Sequence, residues 1–399
     1  MTSRIPSIRS LTVGLSLVAL AVSAAQAQWA QEGQNAARSY ANAQEKTLSR
    51  DTVARLGVLW ERQVGQFYAS EITQSNAHLP VCSNLVGAAA LAPDTGNSQW
   101  TFYAGAGDCA TPASFGDRTY LTSYKLGPPR LNRVTALNTA TGTLAWQTDV
   151  YGADDAYGLS SPTTDGTRLY ISGGIGQVLA LNTADGSLAW RMAIEPGVYL
   201  NAPAVASGRV FVTAREPNAS PVRGTLRAYD AQTGGLLWSV LVSNQSIEYP
   251  AMVLGSTVVV HDNQGVVRGF DVAQGQLKWS YATAGYIGHT LAAASGAAFI
   301  ARATKVTALD IKTGAVLWNR DLPNKQTAVS NPVWANGLVF VAAQNRLSQN
   351  AVLALNAKTG KLVSSTPVIL TSDYALLSVA GGQVYINTSG KVTALGLAP

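Results

Sequence analysis

The residues best suited to chemistry gather near a recurring proline, found at Thr111-Pro112, Ser161-Pro162, Ala202-Pro203, Tyr249-Pro250 and Asn331-Pro332, each 12 to 16 residues after a tryptophan. The polar and aromatic residues in and around these stretches are Asp155, Tyr157, Tyr199, Asn201, Glu248, Tyr249, Tyr286, His289, Asn331, Asp373 and Tyr374. Brought together they would combine aromatic faces with charge, the composition of a ligand or partner site. The same groups could equally satisfy loop backbone and ordered water. Their spacing follows no metal or catalytic motif. His78, His261 and His289 stand apart from one another and from the two cysteines, so each reads as a structural histidine. Neither a Cys-x-x-Cys-His haem motif nor a Gly-rich phosphate loop is present.

The elements that would position these groups are written in a repeated hairpin. Its clearest copy is residues 178–190, Val-Leu-Ala-Leu-Asn-Thr-Ala-Asp-Gly-Ser-Leu-Ala-Trp. A short apolar strand leads to an Asn that can bond its own backbone in the turn, Gly186 takes the positive φ, and a second strand ends on Trp190. The same spacing returns with Gly96 and Trp100, Gly142 and Trp146, Gly234 and Trp238, Gly275 and Trp279, and Gly314 and Trp318. At Gly360 the copy ends on Ser364, and Val392 to Leu395 supplies only a first strand. The missing second strand stands at the other end of the chain, where Leu56 to Trp60 has the tryptophan but no turn glycine.

Successive turn glycines lie 39 to 48 residues apart, enough for four short strands per repeat, which fits a propeller blade and is too long for a solenoid coil. The expected fold is therefore all-β: an eight-bladed β-propeller over residues 55–399, closed by pairing the N-terminal strand with the C-terminal blade. Closure leaves neither terminal edge open. Each proline marks an innermost strand, whose edge faces the channel and needs no ladder donor, so the residues beside it surround the axis.

Residues 1–27 have Arg4 and Arg9 before an apolar run from Leu11 to Val22 and then Ala25-Gln-Ala27, the plan of a secretory signal peptide. The run is too short for a membrane span. No cysteine follows to carry a lipid, and no other stretch could span a bilayer. Residues 28–54 form an N-terminal extension. The net charge of +6 drops to +4 without the signal peptide, and the charges are scattered, which gives no support for nucleic-acid binding. In an oxidising compartment Cys82 and Cys109 are expected to form a disulfide, the alternative being two buried thiols; two cysteines without nearby histidine do not make a metal site.

The opening of the mature chain, Trp29 followed by an Asn and a Tyr, then Leu48-Ser49 leading to Leu56 and Trp60, resembles the start of the pyrroloquinoline-quinone (PQQ)-like β-propeller family. The hairpin is similar to that family's tryptophan-docking repeat. The resemblance covers residues 29–399 and implies docking roles for Trp60, Trp100, Trp146, Trp190, Trp238, Trp279 and Trp318. Their small partners would be Ala90, Ala136, Ala180, Ala228, Gly269, Ala308, Ala354 and Ala394. Ser364 departs from the pattern, so a looser blade is expected there. The family's quinone dehydrogenases hold PQQ and calcium with Glu, Asn and Asp, for which Glu248, Asn331 and Asp155 have the right types, and use a further Asp as base. They commonly carry an adjacent Cys-Cys pair, absent from this sequence. The resemblance is thus nearer to non-catalytic members. The expectation is an exported monomeric scaffold, periplasmic or extracellular, without catalytic residues, metal or cofactor. It would bind a protein or envelope component at the channel mouth through Asp155, Tyr157, Glu248, Tyr249, Tyr286, His289 and Asn331. The alternative is a PQQ-dependent oxidoreductase using the channel.

Overall fold

The structure, a computed structural model, describes residues 28–65, 70–83, 87–103, 108–125, 131–150, 158–173, 176–194, 197–347 and 349–397. The proposed signal peptide, Asp155 and Tyr157 lie outside the described residues. Eight sheets, antiparallel within each blade, follow one another around an axis, as the repeat requires, and Ala41–Asn42 adds in parallel to the seventh. The fifth blade shows the plan: Met252–Leu254 is innermost, then Thr257–His261, Val266–Asp271 and, outermost, Leu277–Ala282. Innermost strands begin just after the predicted prolines, at Ala113–Phe115, Thr163–Thr164, Ala204–Ala206 and Val333–Ala335. Ring closure is as expected: Leu56–Gln63 pairs antiparallel with Lys391–Leu397 and completes the eighth blade.

The seven tryptophans show why the hairpin has its spacing. Each indole N–H donates to a carbonyl of the next blade: Trp60 to Pro93, Trp100 to Thr139, Trp146 to Thr183, Trp190 to Ala231, Trp238 to Val272, Trp279 to Ile311 and Trp318 to Ala357, all at 2.8–3.2 Å. The ring lies flat against that blade's turn glycine. A Cβ on Gly234 would stand 2.7 Å from the Trp190 ring, and Gly96, Gly142, Gly186, Gly275, Gly314 and Gly360 meet their tryptophans in the same way. The glycine is therefore required twice, once for its positive φ and once for contact. The small partners lie within the tryptophan's own blade. Ala180 is the cross-strand neighbour of Trp190 within one blade, and Ala90, Ala136, Ala228, Gly269, Ala308 and Ala394 pair likewise with theirs. They let the indole lie down; the docking surface is the glycine turn next door.

Ser364 also finds its reason. It sits in the seventh blade opposite Ala354, and the next blade's outer pair is formed by the two ends of the chain, so no hairpin turn exists there to receive an indole. The single turn Val53–Arg55 packs against Leu362–Pro367 instead. The junction is not loose, because one buried cluster including Leu48, Val53, Leu353 and Leu395 runs through it.

The N-terminal extension is no flanking tail. Residues 29–45 run around the axis and bond to every blade. Trp29 exchanges backbone hydrogen bonds with Gln74 of the first. Ser114, Val205, Val253, Ala293 and Trp334 of the second, fourth, fifth, sixth and seventh donate backbone N–H to the carbonyls of Ala30, Ala36, Ala37, Ser39 and Tyr40. The Gln31 amide exchanges two hydrogen bonds with the backbone of Thr164 in the third, and Asn42 donates to Val379 of the eighth. The innermost strands thus spend their channel-facing donors on this belt, which closes one end of the channel.

Candidate functional site

Above the belt lies an axial cavity of about 460 Å³, lined by Glu32 and Tyr40 of the extension and by the loops entering the innermost strands, among them Glu71, Asn201, Glu248, Tyr249, His289 and Tyr374. It is thus built from the stretches around the prolines, with a floor the sequence did not suggest. The belt bonds the inner strands downstream of their prolines, while residues upstream of them line the cavity. That polarity puts the open mouth on the side of Glu248, Tyr286 and Tyr374.

The predicted residues divide between mouth and wall. Tyr286 is half-exposed, and its hydroxyl lies 3.1 Å from that of Tyr249, which donates to the Gly288 carbonyl at 2.6 Å. Glu248 is exposed, with one carboxylate oxygen 3.8 Å from the Arg215 guanidinium, and Arg215 in turn covers the Tyr199 ring. His289 is buried and stacked on Tyr374 at 5.0 Å between centroids. Asp373 is exposed beside it. Asn331 also lines the cavity, in its wall. It is fully buried, its amide donating to the Leu377 carbonyl and accepting from the Leu377 N–H. Asn201 is similarly occupied, donating to Thr213 Oγ1 and the Ile247 carbonyl. These two amides hold adjacent blades together.

His261 holds an equivalent position without that bonding, since neither ring nitrogen makes a well-aligned hydrogen bond. It is the fifth residue of its blade's second strand, as are Thr122, Ser172 and Thr213, whose hydroxyls donate to the carbonyls of Ser160, Asn201 and Tyr249 in the next blade. His261 stacks on Tyr249 at 5.0 Å. Burial pushes the pKa values of both His261 and His289 down to about 4, so both rings are neutral at neutral pH. His78 lies far out, with Nδ1 2.6 Å from Gln99 Oε1.

The floor carries the unusual electrostatics. Arg38 is buried: Nε donates to the Pro203 carbonyl, Nη2 to Thr163 Oγ1, and Nη1 forms an ion pair with Glu32 Oε1 at 2.8 Å without a well-aligned hydrogen bond. Glu71 is also buried. Its Oε2 accepts from Trp29 Nε1 at 3.1 Å and the Gly33 N–H at 2.9 Å, while Oε1 makes no well-aligned hydrogen bond. Burial, and after it the charge of Glu32, push the Glu71 pKa up to about 8. None of Trp29, Glu32, Arg38, Tyr40 and Glu71 was singled out as a site residue from sequence. Trp29 and Tyr40 belong to the family-like opening, which was the available signal.

Cys82 and Cys109 are disulfide-bonded, with Cα atoms 5.8 Å apart, and tie the first blade to the second at the cavity wall. A PQQ and calcium site does not fit the described residues. PQQ is a tricarboxylate, and among the described residues the cavity wall offers carboxyls without a free cation, since Arg38 is taken by Glu32. Of the calcium candidates, Asp155 lies outside the described residues, Asn331 is spent on Leu377 and Glu248 stands at the exposed mouth. No group of three His, Cys, Asp or Glu side chains placed to hold a metal occurs among the described residues. No described helix is long and apolar enough to cross a membrane.

A family described as outer membrane protein assembly factor BamB matches residues 130–286, and one described as the EMC1 N-terminal β-propeller domain matches residues 226–379. The chain is 25% identical over 253 residues to outer membrane protein assembly factor BamB of Moranella endobia, covering 59% of this chain and 63% of that protein. It is also 25% identical over 334 residues to tetrathionate hydrolase of Acidithiobacillus ferrooxidans, covering 81% of this chain and 57% of that one. The chain thus spans under two thirds of the length of either relative. Among solved structures, quinohemoprotein alcohol dehydrogenase from Comamonas testosteroni superposes with a TM-score of 0.70 at 13% identity over 94% of this chain and 82% of that one, which concerns the fold alone.

Proposed function

We propose that this chain, which resembles the PQQ-like β-propeller repeat family, is an exported, non-catalytic scaffold that binds a protein of the cell envelope at the open mouth of its channel. The observation that carries this reading is the mouth itself. Tyr249 and Tyr286, locked hydroxyl to hydroxyl, and Tyr374 on His289 present aromatic surface beside the carboxylate of Glu248, and rigid aromatic anchors with a charged neighbour are what protein interfaces use. Most of these residues fall in or beside the segment that resembles BamB. The signal-peptide pattern of residues 1–27 supports export, and the Cys82–Cys109 pair suits an oxidising compartment.

The test places a photo-crosslinking residue at Tyr286 and, as control, at the outward Leu188, in cells of the native host. Crosslinks to one defined envelope protein from position 286 and none from 188 support the reading. Loss of those crosslinks in Glu248→Ala, whose side chain is exposed, with an unchanged melting temperature, would tie them to the mouth. The competing reading, a PQQ-dependent oxidoreductase, would be established instead if purified protein bound PQQ with calcium and oxidised an alcohol or sugar.

A further inference from the structure

We propose that the axial cavity is a binding site for a small organic cation, an ammonium or guanidinium group seated between Glu71 and Glu32 on the floor formed by the N-terminal extension. This goes beyond the scaffold reading, which concerns the mouth. Glu71 is 1% exposed and lines the cavity. Its Oε2 is satisfied by Trp29 and Gly33, whereas Oε1 has no aligned partner; the Tyr40 hydroxyl is near enough to favour the charged form. Buried carboxylates are ordinarily paired with a cation. The nearby candidate, Arg38, is already held by Glu32, Pro203 and Thr163.

A second unpartnered acceptor points the same way. His289, 7% exposed, lines the cavity with Nδ1 unbonded. The ring is neutral at neutral pH, so this nitrogen can accept from an N–H. Tyr40 and Tyr374 add aromatic faces to the wall, which attract a cation through their quadrupoles. An anion would meet Glu71 and Glu32 with no described cation left over. The raised pKa of Glu71 is the mark of a carboxyl lacking its counter-ion, and a bound ammonium would restore the charge and expel the proton.

The test uses five-carbon probes that differ only at their ends: cadaverine, 1,5-pentanediol and glutarate, with agmatine as the guanidinium probe. Titration calorimetry of the mature protein at low salt and pH 7 should show cadaverine or agmatine binding about tenfold or more tighter than the diol, with no binding of glutarate. Cadaverine binding should release protons, read as different heats in phosphate and Tris. Glu71→Gln should abolish that release and weaken cadaverine about tenfold. Glu32→Gln, which leaves Arg38 without its carboxylate, should weaken it at least as much. An Arg-containing tripeptide with blocked ends separates two sources of the same group. Tighter binding than agmatine points to a side chain of a protein partner, and weaker binding to a free amine. The inference fails if the diol matches cadaverine, if no proton is released by the wild type, or if folded Glu71→Gln binds cadaverine unchanged.

Discussion

Replacing Glu71 by Gln should change how the whole propeller responds to pH. In the unfolded chain this carboxyl titrates near 4.5, and in the folded protein near 8, because it is buried beside Glu32. Below pH 4.5 it is neutral in both states and costs nothing. As pH rises the unfolded chain ionises first, so the folded state loses stability up to about pH 8 and no further, a total of up to about 5 kcal/mol. His261 and His289 act in the opposite sense. Their folded pKa values of about 4 lie below the ordinary 6.5, so stability falls as pH drops from 6.5 towards 4, by about 3 kcal/mol for each ring. Between pH 4.5 and 6.5 two histidine protons outweigh one from Glu71, and stability rises with pH. Above 6.5 only Glu71 remains, and stability declines at about 1.4 kcal/mol per pH unit. The wild type should therefore be most stable near pH 6.5. Gln keeps an acceptor for Trp29 and Gly33, so Glu71→Gln should hold its stability between pH 6.5 and 8. Urea unfolding at half-unit steps from pH 5 to 9 reads both curves. Parallel curves above pH 6.5, or a flat wild type, would show that Glu71 is ionised in the folded state and that its environment has been misjudged.

Trp190→Ala should cost roughly 3–5 kcal/mol as a large-to-small core change, and Gly234→Ala should be severe for the reason that its Cβ meets the same ring; denaturant midpoints measure both. Ser364→Trp should bring no stabilisation, since the eighth blade has no hairpin turn to receive the indole. Cutting the Cys82–Cys109 bond, which spans 27 residues, should lower stability by about 3.5 kcal/mol in the chain-entropy view, and non-reducing peptide maps should show the pair linked. Deleting residues 28–42 should be strongly destabilising, because five inner strands lose the backbone partner of a channel-facing N–H and the buried side chains of Trp29, Arg38 and Tyr40 leave the axis; a truncated chain that melts with the full-length protein would refute the structural role of the belt.

The repeat was legible because its determinants are local. A positive-φ glycine four residues before a tryptophan specifies turn, register and docking together, so Gly186 and Trp190 announce a blade wherever they recur. The same locality made Leu56–Gln63 recognisable as the strand that closes the ring, and it located the cavity wall through the prolines. Sequence could not say which side of a blade each small residue served. Ala180 and Gly186 are both near an indole, yet one faces Trp190 across its own sheet and the other faces Trp146 from the next blade. Nor could it separate Asn331, locked to Leu377, from Tyr286 at the mouth, since both stand in the same kind of loop and differ only in what lies opposite. The belt was the largest omission. Residues 29–45 have no periodicity, because their backbone pairs with one strand after another around a circle and never with a neighbour in sequence. Glu71 took its character from that belt: a lone carboxyl in the chain becomes a buried, proton-holding group only when Trp29, Gly33 and Glu32 are folded over it. Spacing along the chain determined the blades, and the meeting of distant segments on the axis decided the site.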